Sequence, residues 1–261
     1  MTRNQTYNAS IVRRDDLHQN LMMIAVAPDA GEFPPFHPGQ FVSIGRLREN
    51  GGAQELVKRS YSIGSSAHER SSVELFLVHV DDGEFTSWLF EQRVGARVWL
   101  SPKASGGFTL EGVARGRDLV FVSTGTAVAP CVSMLRTYRD DPPWRRVVLI
   151  NGVRYASDLG YRAELETLAV RDPRFTYLPL VTREPANSTW RGLRGRVNDV
   201  LAQVQFEQAA GFPLDPDSCD VFLCGNPLMI EELEVSLRAR GFRKHTRNHP
   251  GSLHLEKYWD E

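Results

Sequence analysis

The sequence predicts two domains. An antiparallel six-stranded β-barrel is expected over residues 1–110, and an α/β domain with a parallel sheet over residues 111–261. Three observations predict this. The first part of the chain holds short β-rich or alternating runs separated by Gly, Pro, Asn and Asp clusters, the pattern of a small barrel. The later part alternates near-continuous apolar runs with helical ones, which implies a parallel sheet covered on both faces. Between them, residues 103–112 are glycine-rich and mixed in character, and they set the boundary.

The barrel strands are expected at 7–12, 21–27, 40–44, 58–64, 73–80 and 97–100. Turn-forming clusters such as Pro28-Asp29-Ala30-Gly31, His37-Pro38-Gly39 and Glu49-Asn50-Gly51-Gly52 separate them. One helix, 85–92, is entered through Asp81-Asp82-Gly83. In the second domain, strands are expected at 118–123, 146–152, 175–182, 220–224 and 253–259. Helices are expected at 130–138, 159–170, 197–205 and 228–240. Residues 205–217 receive no role, and no internal repeat is present.

Composition excludes several classes. The chain has 261 residues with 41% hydrophobic and 24% charged residues, ordinary for a globular protein. A formal net charge of -1 gives no general attraction to nucleic acid or an anionic membrane. The three cysteines, Cys131, Cys219 and Cys224, argue against a disulfide framework and for a reducing compartment. They are also too few for a four-cysteine iron–sulfur cluster. The longest apolar stretches fall far short of the ~20 residues that span a bilayer, and the N-terminus lacks a signal-peptide core. A cytoplasmic, monomeric, soluble protein is the expectation.

Four stretches carry chemistry. In Lys58-Arg59-Ser60-Tyr61-Ser62, Arg59 can grip a phosphate in a bidentate manner, and Tyr61, two residues on, shares its face and can stack on a flat ring. Alone, the segment reads as an ordinary barrel strand. Gly83-Glu84-Phe85-Thr86 opens a helix whose first N–H groups form an anion site or merely a plain capped turn. Ser123-Thr124-Gly125-Thr126-Ala127-Val128-Ala129-Pro130 has the strand–turn–helix setting of a nucleotide loop, although Ala127 stands at the second glycine position of the dinucleotide fingerprint. Cys224-Gly225-Asn226-Pro227 ends a strand and starts a helix; capping explains Asn-Pro, and Cys224 reads as a small buried hydrophobe or a site residue. Arg154, Arg183, Arg191, Arg194 and Arg196 gather at strand ends and loops, where they suit a ribose 2′-phosphate or a solvated basic face.

Taken together and in this order, these stretches closely resemble the bacterial ferredoxin/flavodoxin–NADP reductases. Arg59-Ser60-Tyr61-Ser62 resembles the family's R-x-Y-S flavin motif, and Thr124 to Pro130 its NADP loop. Gly152-Val153-Arg154-Tyr155, Val181-Thr182-Arg183-Glu184 and Gly195-Arg196 resemble its 2′-phosphate elements. Cys224-Gly225-Asn226-Pro227-Leu228-Met229-Ile230 resembles C-G-N-P-x-M-I, and Glu256-Lys257-Tyr258-Trp259 resembles the aromatic C-terminus that packs on the flavin. The resemblance spans roughly residues 10–259. It departs at Asp260 and Glu261, which follow the tryptophan where the most similar subgroup ends.

The resemblance implies FAD in the first domain and NADP(H) in the second, with the reaction at their interface. Arg59 would hold the FAD phosphates, Tyr61 would stack on the isoalloxazine, and Ser60 and Ser62 would complete that edge, Ser62 near N5. Phe76, Leu77 and Val78 would line the flavin, and Glu84, Phe85 and Thr86 its ribityl and pyrophosphate. Thr124, Gly125 and Thr126 would lie between flavin and nicotinamide, with Cys224 beside the reacting carbon. Cys224, Tyr61 and Ser62 are thus the expected catalytic residues, and no metal is expected. Arg154, Arg183 and Arg196 would bind the 2′-phosphate, and Tyr258 and Trp259 would pack on the cofactor. The implied partner is a ferredoxin or flavodoxin. Transient, electrostatically steered docking makes Arg13, Arg14, Arg46, Arg48 and Lys58 candidate cations for an acidic carrier, or else a plain solvated surface. The rival readings are an NAD(P)H-dependent flavin reductase component of an oxygenase or cytochrome-reductase-like enzyme, and a protein of this fold that binds no flavin.

Overall fold

The computed structural model describes residues 6–258. It divides into two compact units. One comprises the chain up to Thr109 together with Val132–Thr137; the other comprises Leu110–Cys131 and the chain from Tyr138 onward.

The first unit contains six antiparallel strands: β1 (Ala9–His18), β2 (Leu21–Pro28), β3 (Phe41–Asn50), β4 (Ala53–Ser62), β5 (Val73–Val78) and β6 (Arg97–Leu100). Their order is β4-β3-β6-β1-β2-β5. An antiparallel bridge from Ile63, just past β4, to Leu75 of β5 joins the two ends and closes the barrel. The expected barrel is therefore borne out. Its interior is aliphatic and aromatic, with Ile24, Ile44, Ile63, Leu75, Phe85 and Leu89 almost wholly buried. Each such side chain stabilises the fold by about 1.5–3 kcal/mol. Helix α1 (Glu84–Glu91) places Phe85 and Leu89 in that core.

One difference from the sequence reading stands out. Strands β3 and β4 run well past the expected 40–44 and 58–64 into a long hairpin turned at Gly51 and Gly52. Both glycines have positive φ, which is the chemistry a tight hairpin needs. The polar sequence 46–55 carries no hydrophobic alternation, because this ribbon is paired chiefly through its backbone.

The second unit is an all-parallel sheet in the order β10-β9-β8-β7-β11-β12. Its strands are β7 (Asp118–Thr124), β8 (Arg146–Val153), β9 (Phe175–Val181), β10 (Leu193–Arg194), β11 (Cys219–Gly225) and β12 (Leu253–Lys257). The connecting helices are α2 (Ala129–Thr137), α3 (Arg162–Arg171), α4 (Val197–Val200), α5 (Gln203–Ala210) and α6 (Pro227–Ala239). Consecutive residues of β7, β8 and β11 are buried, so both faces of the central sheet are covered. The expected helix 197–205 is two short helices, interrupted at Leu201 and Ala202. Strand β10 is two residues long and too short to leave a periodic trace. Phe206, Phe212 and Leu214, in the stretch given no role, fill the core beside β11.

Starting at β7, the chain winds outward through β8, β9 and β10, then returns to lay β11 on the other side of β7. The reversal falls between β7 and β11. In open parallel sheets, ligands lie outside the carboxyl ends of the strands at such a point. No helix among the described residues is long and apolar enough to cross a membrane.

Candidate functional site

In the first unit, β4 and β5 are the end strands of the sheet; Ile63 bridges Leu75, and Gly64 N donates to the Glu74 carbonyl (2.8 Å). Antiparallel geometry sets Ser62 and Tyr61 across from Phe76 and Leu77. The strand edges of two expected flavin-binding stretches are thus neighbours. Arg59 and Tyr61 pair with Ile44 and Val42 of β3, so both lie on the face that bears the core. At this end position Arg59 is exposed and Tyr61 half-buried. Burial pushes the Tyr61 phenol well above its usual range, against the smaller opposing pull of Arg59, so the hydroxyl stays neutral. The ring lies 6.4 Å from Phe85, which in turn lies 5.6 Å from Trp88.

Arg59 Nη1 donates to the carbonyl of Lys58 (2.8 Å), and its guanidinium meets no carboxylate among the described residues. Ser60 faces outward, its Oγ 3.0 Å from that of Ser43, while Ser62 is buried. Leu77 and Phe85 are barrel-core residues, so only their backbone is presented to a ligand, whereas Val78 is exposed. Gly83 caps α1 without a side-chain acceptor, which leaves first-turn N–H groups for an anion.

Thr86 has a different task. Its hydroxyl donates to the carbonyls of Gly83 (3.1 Å) and Val80 (3.3 Å) and clasps the entry loop. A Cβ on Gly83 would stand 2.5 Å from that hydroxyl, so glycine is required there. Glu84 accepts from Arg46 Nη2 (2.5 Å) and Arg48 Nη1 (2.7 Å), and Arg46 ahead of Arg48 draws its carboxyl below the usual range.

Most of the expected docking cations are engaged within the chain. Arg13 meets Glu74 and Asp15, Arg14 meets Asp16, and Arg46 and Arg48 meet Glu84. Lys58 sits 5.6 Å from the Trp99 ring centre.

In the second unit, the switch point holds both remaining motifs. Thr124 ends β7, Gly125 opens a 3-10 turn into α2, and Cys224 and Gly225 end the adjacent β11. Gly125 has φ +57° and nothing within 4 Å of a Cβ, an open left-handed position where a ligand can approach the backbone. Thr124 Oγ1 accepts from Asn226 N (3.0 Å). Gly225 has φ +126°, and a Cβ there would stand 2.3 Å from that oxygen. Asn226 caps α6 by accepting from the N–H groups of Leu228 (2.9 Å) and Met229 (3.3 Å), with Pro227 next. Tyr258 donates its hydroxyl to the Thr126 carbonyl (3.1 Å) and so tethers the end of β12 to the loop. Trp259 lies outside the described residues.

Cys224 is fully buried. Desolvation, then the nearby Glu256 carboxylate, drive its thiol far above the usual range, so it is a neutral S–H rather than a nucleophilic thiolate. It donates toward Glu256 Oε1 at 4.0 Å. Glu256 was not legible as a site residue, because only the parallel register of β12 on β11 sets it opposite Cys224.

The three expected phosphate-binding arginines follow three adjacent strands. Arg154 follows β8, Arg183 follows β9, and Arg196 follows β10. Arg183 N donates to the Arg154 carbonyl (2.8 Å), which fixes the two exposed residues side by side. Neither side chain has a hydrogen bond or ion pair among the described residues. Arg191 and Arg194 differ: their guanidiniums are spent on the carbonyls of Glu184, Pro185, Ser188 and Trp190, bracing the loop. Arg196 donates to Glu232. No cluster of metal-ligating residues exists among the described residues.

Both cofactors pass a test of fit. A flavin nucleotide needs a ring platform, nearby strand backbone and a phosphate cation, and Tyr61, the adjoining end strands β4 and β5 and Arg59 meet those needs. A 2′-phosphorylated nucleotide needs an open loop and uncommitted cations, which Gly125, Arg154 and Arg183 supply.

The chain resembles known proteins in sequence and in fold. Residues 121–234 match the oxidoreductase NAD-binding domain family. A flavodoxin/ferredoxin–NADP reductase of Escherichia coli (strain K12) is 33% identical, over 86% of this chain and 88% of its own. One from Buchnera aphidicola subsp. Baizongia pistaciae is 29% identical, over 98% of this chain and 100% of its own. A crystal structure of a ferredoxin NADP+ reductase from Neisseria gonorrhoeae with bound FAD and NADP superposes with a TM-score of 0.85, 27% identity and coverage of 97% of this chain and 98% of that one. On these grounds the chain belongs to the flavodoxin/ferredoxin–NADP reductase family.

Proposed function

We propose that this protein is an FAD-dependent oxidoreductase that exchanges electrons between NADPH and a one-electron carrier, ferredoxin or flavodoxin. The observation that carries the reading is the switch point of the parallel sheet. There Thr124-Gly125 and Cys224 meet at adjacent strand ends, while Arg154 and Arg183 stand uncommitted after the neighbouring strands. Residues 1–110 bind FAD and residues 111–261 bind NADP(H) in this reading. The protein works in the cytoplasm as a monomer and meets its acidic carrier transiently.

Bound FAD supplies the conversion between hydride and single electrons. The chain supplies binding and orientation. Arg59 holds the FAD phosphates by charge-assisted hydrogen bonds. Tyr61 offers the ring platform, Ser60 and Ser62 flank it, and the backbone of Phe76, Leu77 and Val78 borders it. Glu84 and Phe85 contribute backbone N–H groups at the start of α1, and Thr86 holds that loop in shape. Gly125 and Thr126 admit the nucleotide, Thr124 orders the turn, and Cys224 presents a compact, uncharged wall to the nicotinamide. Arg154, Arg183 and Arg196 take the 2′-phosphate, and Tyr258, tied to the Thr126 carbonyl, closes the site.

The test is direct. The purified protein carries flavin absorbance, its kcat/KM for NADPH exceeds that for NADH by at least tenfold, and it reduces ferredoxin or flavodoxin. A preference for NADH, with electrons passed to free flavin or an oxygenase, would establish the reductase-component reading instead. A colourless protein that takes up no added FAD would defeat both.

A further inference from the structure

We infer that Glu232, on α6, is a specificity-tuning residue that competes with the 2′-phosphate for Arg196. This rests on the proposed NADP(H) reading and deepens it. Of the three arginines after β8, β9 and β10, only Arg196 is held by a carboxylate among the described residues. Its Nη2 donates to Glu232 Oε2 at 2.9 Å. The same oxygen accepts from Asn198 Nδ2 at 2.7 Å. Glu232 is therefore positioned from two sides and does not merely brush a passing cation.

The backbone of Arg196 is fixed independently. Its N–H donates to Asp199 Oδ2 (2.9 Å), and a Cβ added to Gly195 before it, at φ +117°, would stand 3.1 Å from that same carboxylate oxygen. The start of α4 is thus set by Asp199, while the guanidinium is set by Glu232. Such a division lets the side chain move without disturbing the helix.

Exposure decides which state wins. The Arg196 and Glu232 side chains are 57% and 52% exposed. An ion pair this wet is weak and readily exchanged. A doubly charged phosphate brought to Arg196 outcompetes a single carboxylate, yet it must displace Glu232 or bind beside it. Either way Glu232 opposes the ligand, by occupying Nη2 or by like charge across a few ångströms. At that range, with partial screening by solvent and salt, the opposition amounts to about threefold in affinity. Glu232 thereby lowers affinity for the phosphorylated nucleotide and hastens its exchange, and has no grip on a nucleotide lacking the 2′-phosphate.

The experiment measures calorimetric binding of adenosine 2′,5′-bisphosphate and of 5′-AMP to the FAD-loaded enzyme, as wild type, Glu232→Gln, Arg196→Ala and the double variant. Glutamine keeps the size of Glu232 and an acceptor for Asn198, so folding is conserved. Glu232→Gln should bind the bisphosphate about threefold more tightly and 5′-AMP unchanged, and the gain should vanish in the Arg196→Ala background. Unchanged or weaker bisphosphate binding by Glu232→Gln overturns the competition, even if the wild type prefers the bisphosphate. An equal gain for both ligands overturns it as well. A wild type that does not distinguish the two ligands removes the NADP(H) reading itself, and this inference with it.

Discussion

The two units build binding sites by opposite means. In the barrel, candidate residues lie along the two end strands of the antiparallel sheet. Their neighbours come from long-range register: Tyr61 sits across from Leu77 only because Ile63 bridges Leu75. In the parallel sheet, the candidates sit in the loops just after the strands, and topology alone brings Thr124 and Cys224 together. Charge is handled differently too. Arg13, Arg46, Arg48 and Arg136 of the first unit are each spent on carboxylates, and Glu74 receives two of them. Arg154 and Arg183 of the second unit meet none among the described residues. The lesson is that a cation is informative when the fold leaves it unmatched, and much less so when it is merely present.

Variants can break or sharpen this contrast. The largest effect is expected at Arg59, a barrel cation that meets no carboxylate among the described residues. Arg59→Ala should weaken FAD retention about a hundredfold, at 1.5–3 kcal/mol or so for each charged hydrogen bond lost. Flavin absorbance after gel filtration checks it, and full occupancy would remove the phosphate role. Arg46→Ala, whose guanidinium is matched internally, should keep its flavin in the same assay.

In the second unit, Gly225→Ala should cost about 1–3 kcal/mol of stability, because the added Cβ meets Thr124 Oγ1 at 2.3 Å on a backbone of φ +126°. A lowered Tm would register it, and an unchanged Tm would show that Thr124 yields freely. Next in size, Arg183→Ala should raise KM for NADPH about tenfold while leaving KM for NADH nearly fixed. Equal rises for both would assign Arg183 to the adenosine rather than the phosphate.

The smallest effect concerns pH. His254 is buried, stacked on Phe222 at 4.1 Å, and its Nε2 lies 3.2 Å from Asp220 Oδ1. Desolvation depresses its pKa, against the pull of Asp220 and with a further push from His245. A histidine depressed on folding favours the unfolded chain as it protonates. Stability is therefore complete above the unfolded value near 6.5 and falls as pH drops below it. Thermal melts between pH 7 and 5 should show this loss, and His254→Gln should flatten it. A slope that survives the substitution would place the titrating group elsewhere.

Much of this was legible in the sequence. The runs Leu119 to Val122 and Val221 to Leu223 announced buried parallel strands, and the motifs at Arg59, Thr124 and Cys224 fell where strands end. What was not legible depended on pairing. The long β3–β4 ribbon is polar on both faces, so alternation was silent. Glu256 became visible beside Cys224 only through the register of β12. The bond between Glu232 and Arg196 joins α6 to the start of α4, two segments whose proximity no local pattern encodes. Leu77 and Phe85 were expected at the cofactor, yet their side chains belong to the barrel core, because periodicity reports burial without saying what does the burying.

The pairing of β7 with β11 also has a kinetic consequence. Val122 and Leu223 are neighbours in the sheet although roughly a hundred residues of chain lie between them. Closing so large a loop carries an entropic cost that β7–β8 pairing does not bear to the same degree. The local half of the sheet can therefore form while the crevice between Thr124 and Cys224 does not yet exist. During refolding, nucleotide binding should appear with the slowest structural phase, and an intermediate with native-like β7–β9 pairing would still be blind to its ligand.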